Sequence, residues 1–230
     1  MNIIIPMAGR GSRFKDSDLP KPLIEFNGKP MIQHTVEHLG LLEHRHVFVC
    51  LEEHVQKYDL PTVFSRFLRN FEIVGLAEVT NGAATTVMAA SSKVSANDEV
   101  LIVNSDQLLF WNKDVTLNNY GTIFCFEGTG NKWSYAKVDT DNRVLQVAEK
   151  VQISHHATAG MYHWKKFSYY AEAYKKMVEA NDRTNGEFYV APVYNYALQY
   201  GIYIKHVDDI IQVGTPEELS EHLEKQHELD

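Results

Sequence analysis

Between Met7 and Lys21 the chain sets glycines and basic side chains in an order suited to holding phosphate. The segment Met7-Ala8-Gly9-Arg10-Gly11-Ser12-Arg13-Phe14 leaves a uniformly apolar run over 2–6. Gly9 and Gly11 allow a sharp turn with no Cβ in the way of a ligand. Successive backbone N–H groups from Met7, Ala8, Gly9, Gly11 and Ser12 would form an anion-binding concavity. Arg13 adds a planar fork that matches phosphate oxygens. Lys21, held between Pro20 and Pro22, adds a point charge on a stiff segment. Two cations and a nest of amides are enough to neutralise much of a triphosphate. Farther on, Asn104-Ser105-Asp106 ends another apolar run. An Asp there either caps a turn or offers a carboxylate to Mg²⁺, which takes one or two carboxylates plus phosphate oxygens and water.

These residues need a scaffold that brings two strand ends together. The run 2–6 is too uniformly apolar for an edge strand. Asn27-Gly28 is a tight-turn signal between two short extended pieces. Ile32, Val36 and Leu39 fall on one helical face. Further strands are expected over 46–51, 71–74 and 99–103, with helices over 60–70 and 82–92 between them. This β-α-β-α-β-α-β order predicts a parallel sheet with helices on both faces. The second half is poorer in helix, with strands expected over 122–126, 134–138, 144–148, 157–163 and 203–207. A helix carries Phe167, Tyr170, Tyr174, Met177 and Val178 on one stripe. Thr215-Pro216-Glu217-Glu218 is a capping box with Pro at the first helical position, so a last helix starts there. No linker interrupts the chain. One domain over 1–230 is expected, with a nucleotide lobe over about 1–120 and an acceptor lobe over about 121–230.

Composition sets the outer limits. With 230 residues and 44% hydrophobic residues the chain can bury a sizeable core. The formal net charge of −8 is wrong for a protein that tracks a nucleic-acid backbone. Cys50 and Cys125 lie in apolar runs and read as buried, reduced thiols. No run is long enough for a membrane span, and the N-terminus lacks a basic region before its short apolar stretch. A cytoplasmic protein is expected. The 11 histidines form no H-x-x-x-H pair beside an acid, and His155-His156 reads as a solvated turn.

Other phosphate-binding loops fit less well. The P-loop pattern G-x-x-x-x-G-K-[ST] is absent. The dinucleotide fingerprint fails at Phe14, where a third Gly belongs, and Glu52 and Glu53 are too distant to serve its ribose.

The segments Met7–Phe14, Leu19-Pro20-Lys21-Pro22-Leu23-Ile24 and Gly28-Lys29-Pro30-Met31-Ile32, with Gly214-Thr215-Pro216-Glu217 near the end, together resemble the signature of the sugar-phosphate nucleotidyltransferases. That family includes the nucleoside-diphosphate-sugar pyrophosphorylases and small cytidylyltransferases. The resemblance implies a GT-A-like, three-layer α/β/α fold, with a mostly parallel mixed central sheet and a smaller antiparallel acceptor lobe. It implies that Arg13 and Lys21 are catalytic and that Asp106 holds Mg²⁺. For the second metal position it points to Gln212, two before Gly214; Asp208 and Asp209 are alternatives, as is no second ligand at all.

By the same resemblance Gly82 and Ala83, in Asn81-Gly82-Ala83-Ala84, line the nucleobase site; on the residues alone they would read as a Gly-led helix start. Glu149, Lys150, Gly160 and Glu187 resemble the family's acceptor-binding segments. Lys150 would balance the acceptor phosphate, and Glu187 would accept hydrogen bonds from acceptor hydroxyls or an amine, or simply pack.

The implied reaction is attack by an acceptor phosphate oxygen on the α-phosphorus of an NTP, with release of pyrophosphate. The expected partners are an NTP, with CTP or UTP favoured, and a phosphorylated small molecule such as a sugar 1-phosphate, used to make surface polysaccharide precursors. Neither nucleic acid nor membrane is expected as a partner; a homo-oligomer is compatible with the sequence. Two other classes remain open at this level: a GT-A-type glycosyltransferase using a finished sugar nucleotide, and a silent nucleotide-binding protein.

Overall fold

The structure is a computed structural model that describes residues 1–9, 14 and 19–227. Its centre is one nine-stranded mixed sheet. The strands of the first half are β1 (Asn2–Met7), the short pair β2 (Glu25–Phe26) and β3 (Lys29–Pro30), β4 (Arg45–Leu51), β5 (Phe71–Leu76), β6 (Val100–Val103) and β7 (Gln107–Phe110). Those of the second half are β8 (Gly121–Glu127), β9 (Ser134–Val138), β10 (Val144–Glu149), β11 (His156–Trp164), β12 (Ile202–His206) and β13 (Asp209–Gln212). The helices are α1 (Met31–Leu39), α2 (Glu52–Lys57), α3 (Leu60–Ser65), α4 (Ala83–Ala89), α5 (Phe167–Glu179) and α6 (Pro216–His227).

β1 pairs in parallel with β4 on one side and β6 on the other, and β4 pairs in parallel with β5. The order β6-β1-β4-β5 therefore turns back at the β1/β6 boundary. That boundary is where open α/β sheets bind ligands, beyond the carboxyl ends of the strands. In β1, Ile4 packs into one core while Ile3, Ile5 and Met7 pack into the other. The period-2 alternation is apolar on both faces because helices cover both. One layer comprises α4, α5 and the turns over 191–196; the other comprises α1 and α3. The three-layer expectation holds.

The second half extends the same sheet. β11 is the junction. Its later residues, Met161–Trp164, run antiparallel to β6, and its earlier Ala157 pairs with Tyr135 of β9. β8 lies antiparallel along β11, and β12 pairs in parallel with β8.

Local chemistry explains most boundaries. Asn27 (φ 47°) and Gly28 (φ 74°) make the two-residue turn between β2 and β3. Gly40 caps α1 in the left-handed region, its N–H bonded to Val36 O. Thr215 Oγ1 accepts from the N–H of Glu218 at 3.2 Å, as the capping box predicts. The Glu218 carboxylate returns to the N–H of Gly214 instead of Thr215, at 3.1 Å.

Two expectations need correction, and α2, β7 and β13 were not among the elements expected. The helix expected over 60–70 is α3, and it ends at Ser65, whose hydroxyl bonds back to Thr62 O. α2 has no buried residue and therefore no apolar stripe to betray it. β7 and β13 are short and pair only with each other, and His156 belongs to β11 instead of a solvated turn. Cys50 and Cys125 are free and buried, as expected, and burial pushes both thiols up. Among the described residues no helix is long and apolar enough to cross a membrane.

Candidate active site

A cleft of about 770 Å³ opens at the β1/β6 boundary. Gly9 and Lys21 reach it from the segment after β1, and Asn104, Asp106 and Gln107 from the segment after β6. Lys21 opens a single 3₁₀ turn, Lys21–Leu23, whose Pro22 and Leu23 are buried and anchor it. The residues leading to Asp106 are tied to α1, because Thr35 Oγ1 donates to Ser105 O at 3.2 Å. Lys21 Nζ donates to Asp106 Oδ2 at 2.5 Å, and each side chain is about one-fifth exposed (19% and 20%). The cation and carboxylate expected to share a triphosphate thus meet at one point.

The other residues of the phosphate loop divide. Met7 and Ala8 are buried, Met7 within the apolar core, so only their backbone is free to serve a ligand. Gly11, Ser12 and Arg13 lie outside the described residues. Phe14, which breaks the dinucleotide fingerprint, packs against Phe26, Met31, Leu108 and Val213.

Gly214 bears on the cation question. A Cβ there would lie 2.9 Å from Asp106 Oδ2 and 3.5 Å from Glu218 Oε2, so the missing side chain leaves room between two carboxylates. This all-oxygen donor pair suits Mg²⁺. Gln212, in register with Gln107 across the β13/β7 pair, also lines the cleft, and its side-chain carbonyl accepts from Gln107 Nε2 at 3.2 Å. Asp209 lies opposite Phe110 at the far end of β13 and Asp208 precedes it; neither lines the cleft. Sequence reasoning read Glu218 only as a helix cap, and its nearness to Asp106 is visible only in three dimensions.

The far wall of the cleft comes from β9, β10, β11 and the segment 187–191. Glu149 and Ser134 are opposite one another in the β10/β9 pair, and the Ser134 hydroxyl donates to the Glu149 carboxylate. Burial pushes the Glu149 carboxyl above its usual range, against the opposing hydrogen bond from Ser134 and the charge of Lys150. Thr158 and Tyr162 continue this polar floor, hydroxyl to hydroxyl at 3.0 Å. Lys150 holds a left-handed backbone (φ 58°), uncommon for a side-chain-bearing residue, and Nζ donates to Tyr189 Oη at 2.7 Å. Gly160 (φ 67°) sits where the β11/β8 register shifts; a Cβ there would fall 1.8 Å from Gln107 Oε1 and 2.6 Å from Asn104 Nδ2. The bulge lets the strand press against the residues that flank Asp106.

Glu187 is exposed at the cleft rim, on a turn closed by paired backbone bonds with Thr184. The same turn docks on the start of α4, where the N–H of Phe188 donates to Asn81 O at 2.8 Å and the N–H of Ala84 to Phe188 O at 3.0 Å. Gly82 (φ 126°) is required by this docking, since a Cβ would lie 2.5 Å from Phe188 O. Its open face thus meets protein backbone, while Ala83 lines the cleft. Lys132 crosses the rim to Glu218 Oε1 at 3.0 Å. Ser134 and Lys132 were not singled out from sequence; each is an ordinary polar residue until the fold places it in the cleft.

Residues 3–115 match the profile of the MobA-like NTP transferase domain. Likeness of fold to solved nucleotidyltransferases extends over nearly the whole chain. A nucleoside-diphosphate-sugar pyrophosphorylase from Vibrio cholerae RC9 superposes with a TM-score of 0.87 at 28% identity, covering 96% of this chain and 99% of that one. An inositol-1-phosphate CTP transferase from T. maritima shares the fold, with a TM-score of 0.73 at 14% identity over 96% of this chain and 92% of that one. The bifunctional protein GlmU of Methanocaldococcus jannaschii is 27% identical over 174 residues, which are 72% of this chain and 40% of that protein. The chain therefore spans less than half the length of that curated relative.

Proposed function

We propose that the protein transfers an NMP unit from an NTP to a phosphorylated small molecule and releases pyrophosphate. The observation that carries this reading is the meeting of Lys21 and Asp106 beside Gly9 at the β1/β6 boundary. The pair is poised to part, Lys21 toward phosphate oxygens and Asp106 toward a cation. Asp106 would hold Mg²⁺, with Glu218 as the nearby second carboxylate. When bound, the ion supplies charge neutralisation on the phosphate oxygens.

The chain's own residues orient the reactants. Backbone amides of the loop from Met7 to Gly9 face the triphosphate. Lys21, together with Arg13 from the sequence pattern, stabilises charge developing on the α-phosphoryl group and the departing pyrophosphate. The acceptor phosphate is ionised near neutral pH, so no strong base is required and catalysis reduces to positioning. Lys150 faces the acceptor phosphate, while Glu149 and Glu187 accept hydrogen bonds from acceptor hydroxyls. Ala83 lies beside the nucleobase.

The names of the Vibrio cholerae and T. maritima neighbours support an acceptor of the sugar 1-phosphate or polyol phosphate type, and the second of them supports CTP as donor. A role in supplying surface polysaccharide precursors in the cytoplasm is part of the same proposal. The test is a matrix of NTPs against phosphorylated acceptors with Mg²⁺, read by pyrophosphate release. Turnover with one NTP and one acceptor class supports the proposal. Binding of NTP without turnover across the matrix, or turnover only with a finished sugar nucleotide, overturns it.

A further inference from the structure

The ends of three adjacent strands present a second cluster of ligating side chains, which the transferase chemistry does not use. His156 opens β11 directly opposite Glu127 at the end of β8. His206 ends β12 opposite Cys125, two residues before Glu127 on β8. Side chains two apart along a strand share a face, so all three project from the same side of the sheet. His156 Nδ1 and His206 Nε2 lie 3.2 Å apart, with the rings tilted by 57°. Two imidazoles bound to one tetrahedral zinc have nitrogens separated by about 3.3 Å, given Zn–N bonds of about 2.0–2.1 Å. One ligand atom from each of Glu127, His156 and His206 lies within 4.8 Å of the others.

We propose that Glu127, His156 and His206 bind one borderline divalent cation of the Zn²⁺ class, tying together the ends of β8, β11 and β12. Two imidazole nitrogens and one carboxylate form a donor set for zinc, with a fourth position left to water, and do not suit Mg²⁺, which prefers oxygen alone. The ligands stand on paired strands, and the N–H of His156 is pinned by Ser154 Oγ at 3.0 Å, so little ordering is needed on binding. Glu127 is exposed and can swing toward the ion. His156 lies two residues before Thr158 of the cleft, so the ion would brace the strand that carries Thr158, Gly160 and Tyr162.

The test uses the full chain without an affinity tag, stripped of metal and titrated with zinc chloride by calorimetry and native mass spectrometry. The wild type is expected to saturate at one equivalent at this site. Losing a supporting residue around a metal costs about 10–100-fold in affinity, so losing a ligand in His206→Gln should weaken binding by at least about 100-fold. Glu127→Gln, at an exposed position, should weaken it by at least about 10-fold. Asp106→Asn should retain the equivalent, which separates this site from the cleft. Millimolar Mg²⁺ should not displace the zinc. Unfolding in the presence of chelator shows that each variant is folded, and added zinc should raise the unfolding temperature of the wild type alone. No binding by wild type, or wild-type affinity in both folded ligand variants, overturns the proposal.

Discussion

Lys21 Nζ and Asp106 Oδ2 lie 2.5 Å apart although the two residues come from opposite sides of the point where the strand order turns back. One follows β1 and the other follows β6. In the proposed reaction their contact marks the spot at which a cation-bearing carboxylate and a phosphate-binding ammonium would act on one group.

Asp106→Asn should abolish Mg²⁺-dependent pyrophosphate release and leave the fold intact. A partly exposed ion pair contributes only about 0–1 kcal/mol, so the unfolding midpoint should barely move. Lys21→Ala should lower kcat roughly 100-fold, the effect of about 3 kcal/mol for one lost transition-state donor. Wild-type turnover in either variant would remove that residue from the proposed reaction.

Gly160→Ala should be destabilising and should also damage the site. The left-handed backbone alone costs an ordinary residue about 1–2 kcal/mol. The added Cβ must also displace Gln107 Oε1 and Asn104 Nδ2 beside Asp106. Denaturant unfolding should report the first loss and pyrophosphate release the second. Equal stability with full activity would show that the bulge tolerates a side chain.

Glu149→Gln keeps the shape and removes the charge. If Glu149 accepts from an acceptor hydroxyl, KM for the acceptor should rise by roughly 30-fold, equivalent to about 2 kcal/mol for a hydrogen bond to a charged group. NTP affinity should not change. A shift in NTP affinity with acceptor KM constant would reassign this residue to the nucleotide side.

His46 predicts a pH dependence of stability. Burial lowers its pKa from 6.5 to about 4, so the unfolded chain binds more protons between those values. The stability contributed by the neutral ring is complete above about pH 6.5 and is lost as pH falls toward 4. The full shift corresponds to roughly 3 kcal/mol. His163, also buried, is lowered in the same direction and adds to the trend. His46→Leu should flatten the slope of unfolding free energy between pH 4 and 6.5; an unchanged slope would assign the acid sensitivity elsewhere.

Strands that bury both faces were legible because nothing but an apolar run can fill such a position. β1, β4 and β6 followed from their residues almost to the boundary, and so did the turn at Asn27-Gly28 and the cap at Thr215. Lys21, Asp106, Glu149, Lys150 and Gly160 were also visible, largely through motif resemblance, and all of them line one cleft. What stayed hidden depends on pairings between distant segments. β7 and β13 are four residues each and have meaning only beside one another. Glu218 near Asp106, Ser134 beside Glu149, and His156 facing His206 are separated by 112, 15 and 50 residues along the chain. No local periodicity records such encounters. Gly82 was legible as important for a reason that the structure refines: the backbone that approaches it belongs to Phe188.

β11 pairs with β6 through its later residues and with β9 through Ala157, while β8 follows it on the other side. β11, bulged at Gly160, therefore runs along the floor of the cleft, and in the proposed reaction the donor and recipient pockets would share it as a common keel. Swapping the rim residues of β9, β10 and the 184–188 turn would retune which recipient is chosen without resetting the aim of the attacking oxygen at phosphorus. On the proposed reading, diversification of the small-molecule partner and preservation of the chemistry would fall to separate parts of one chain.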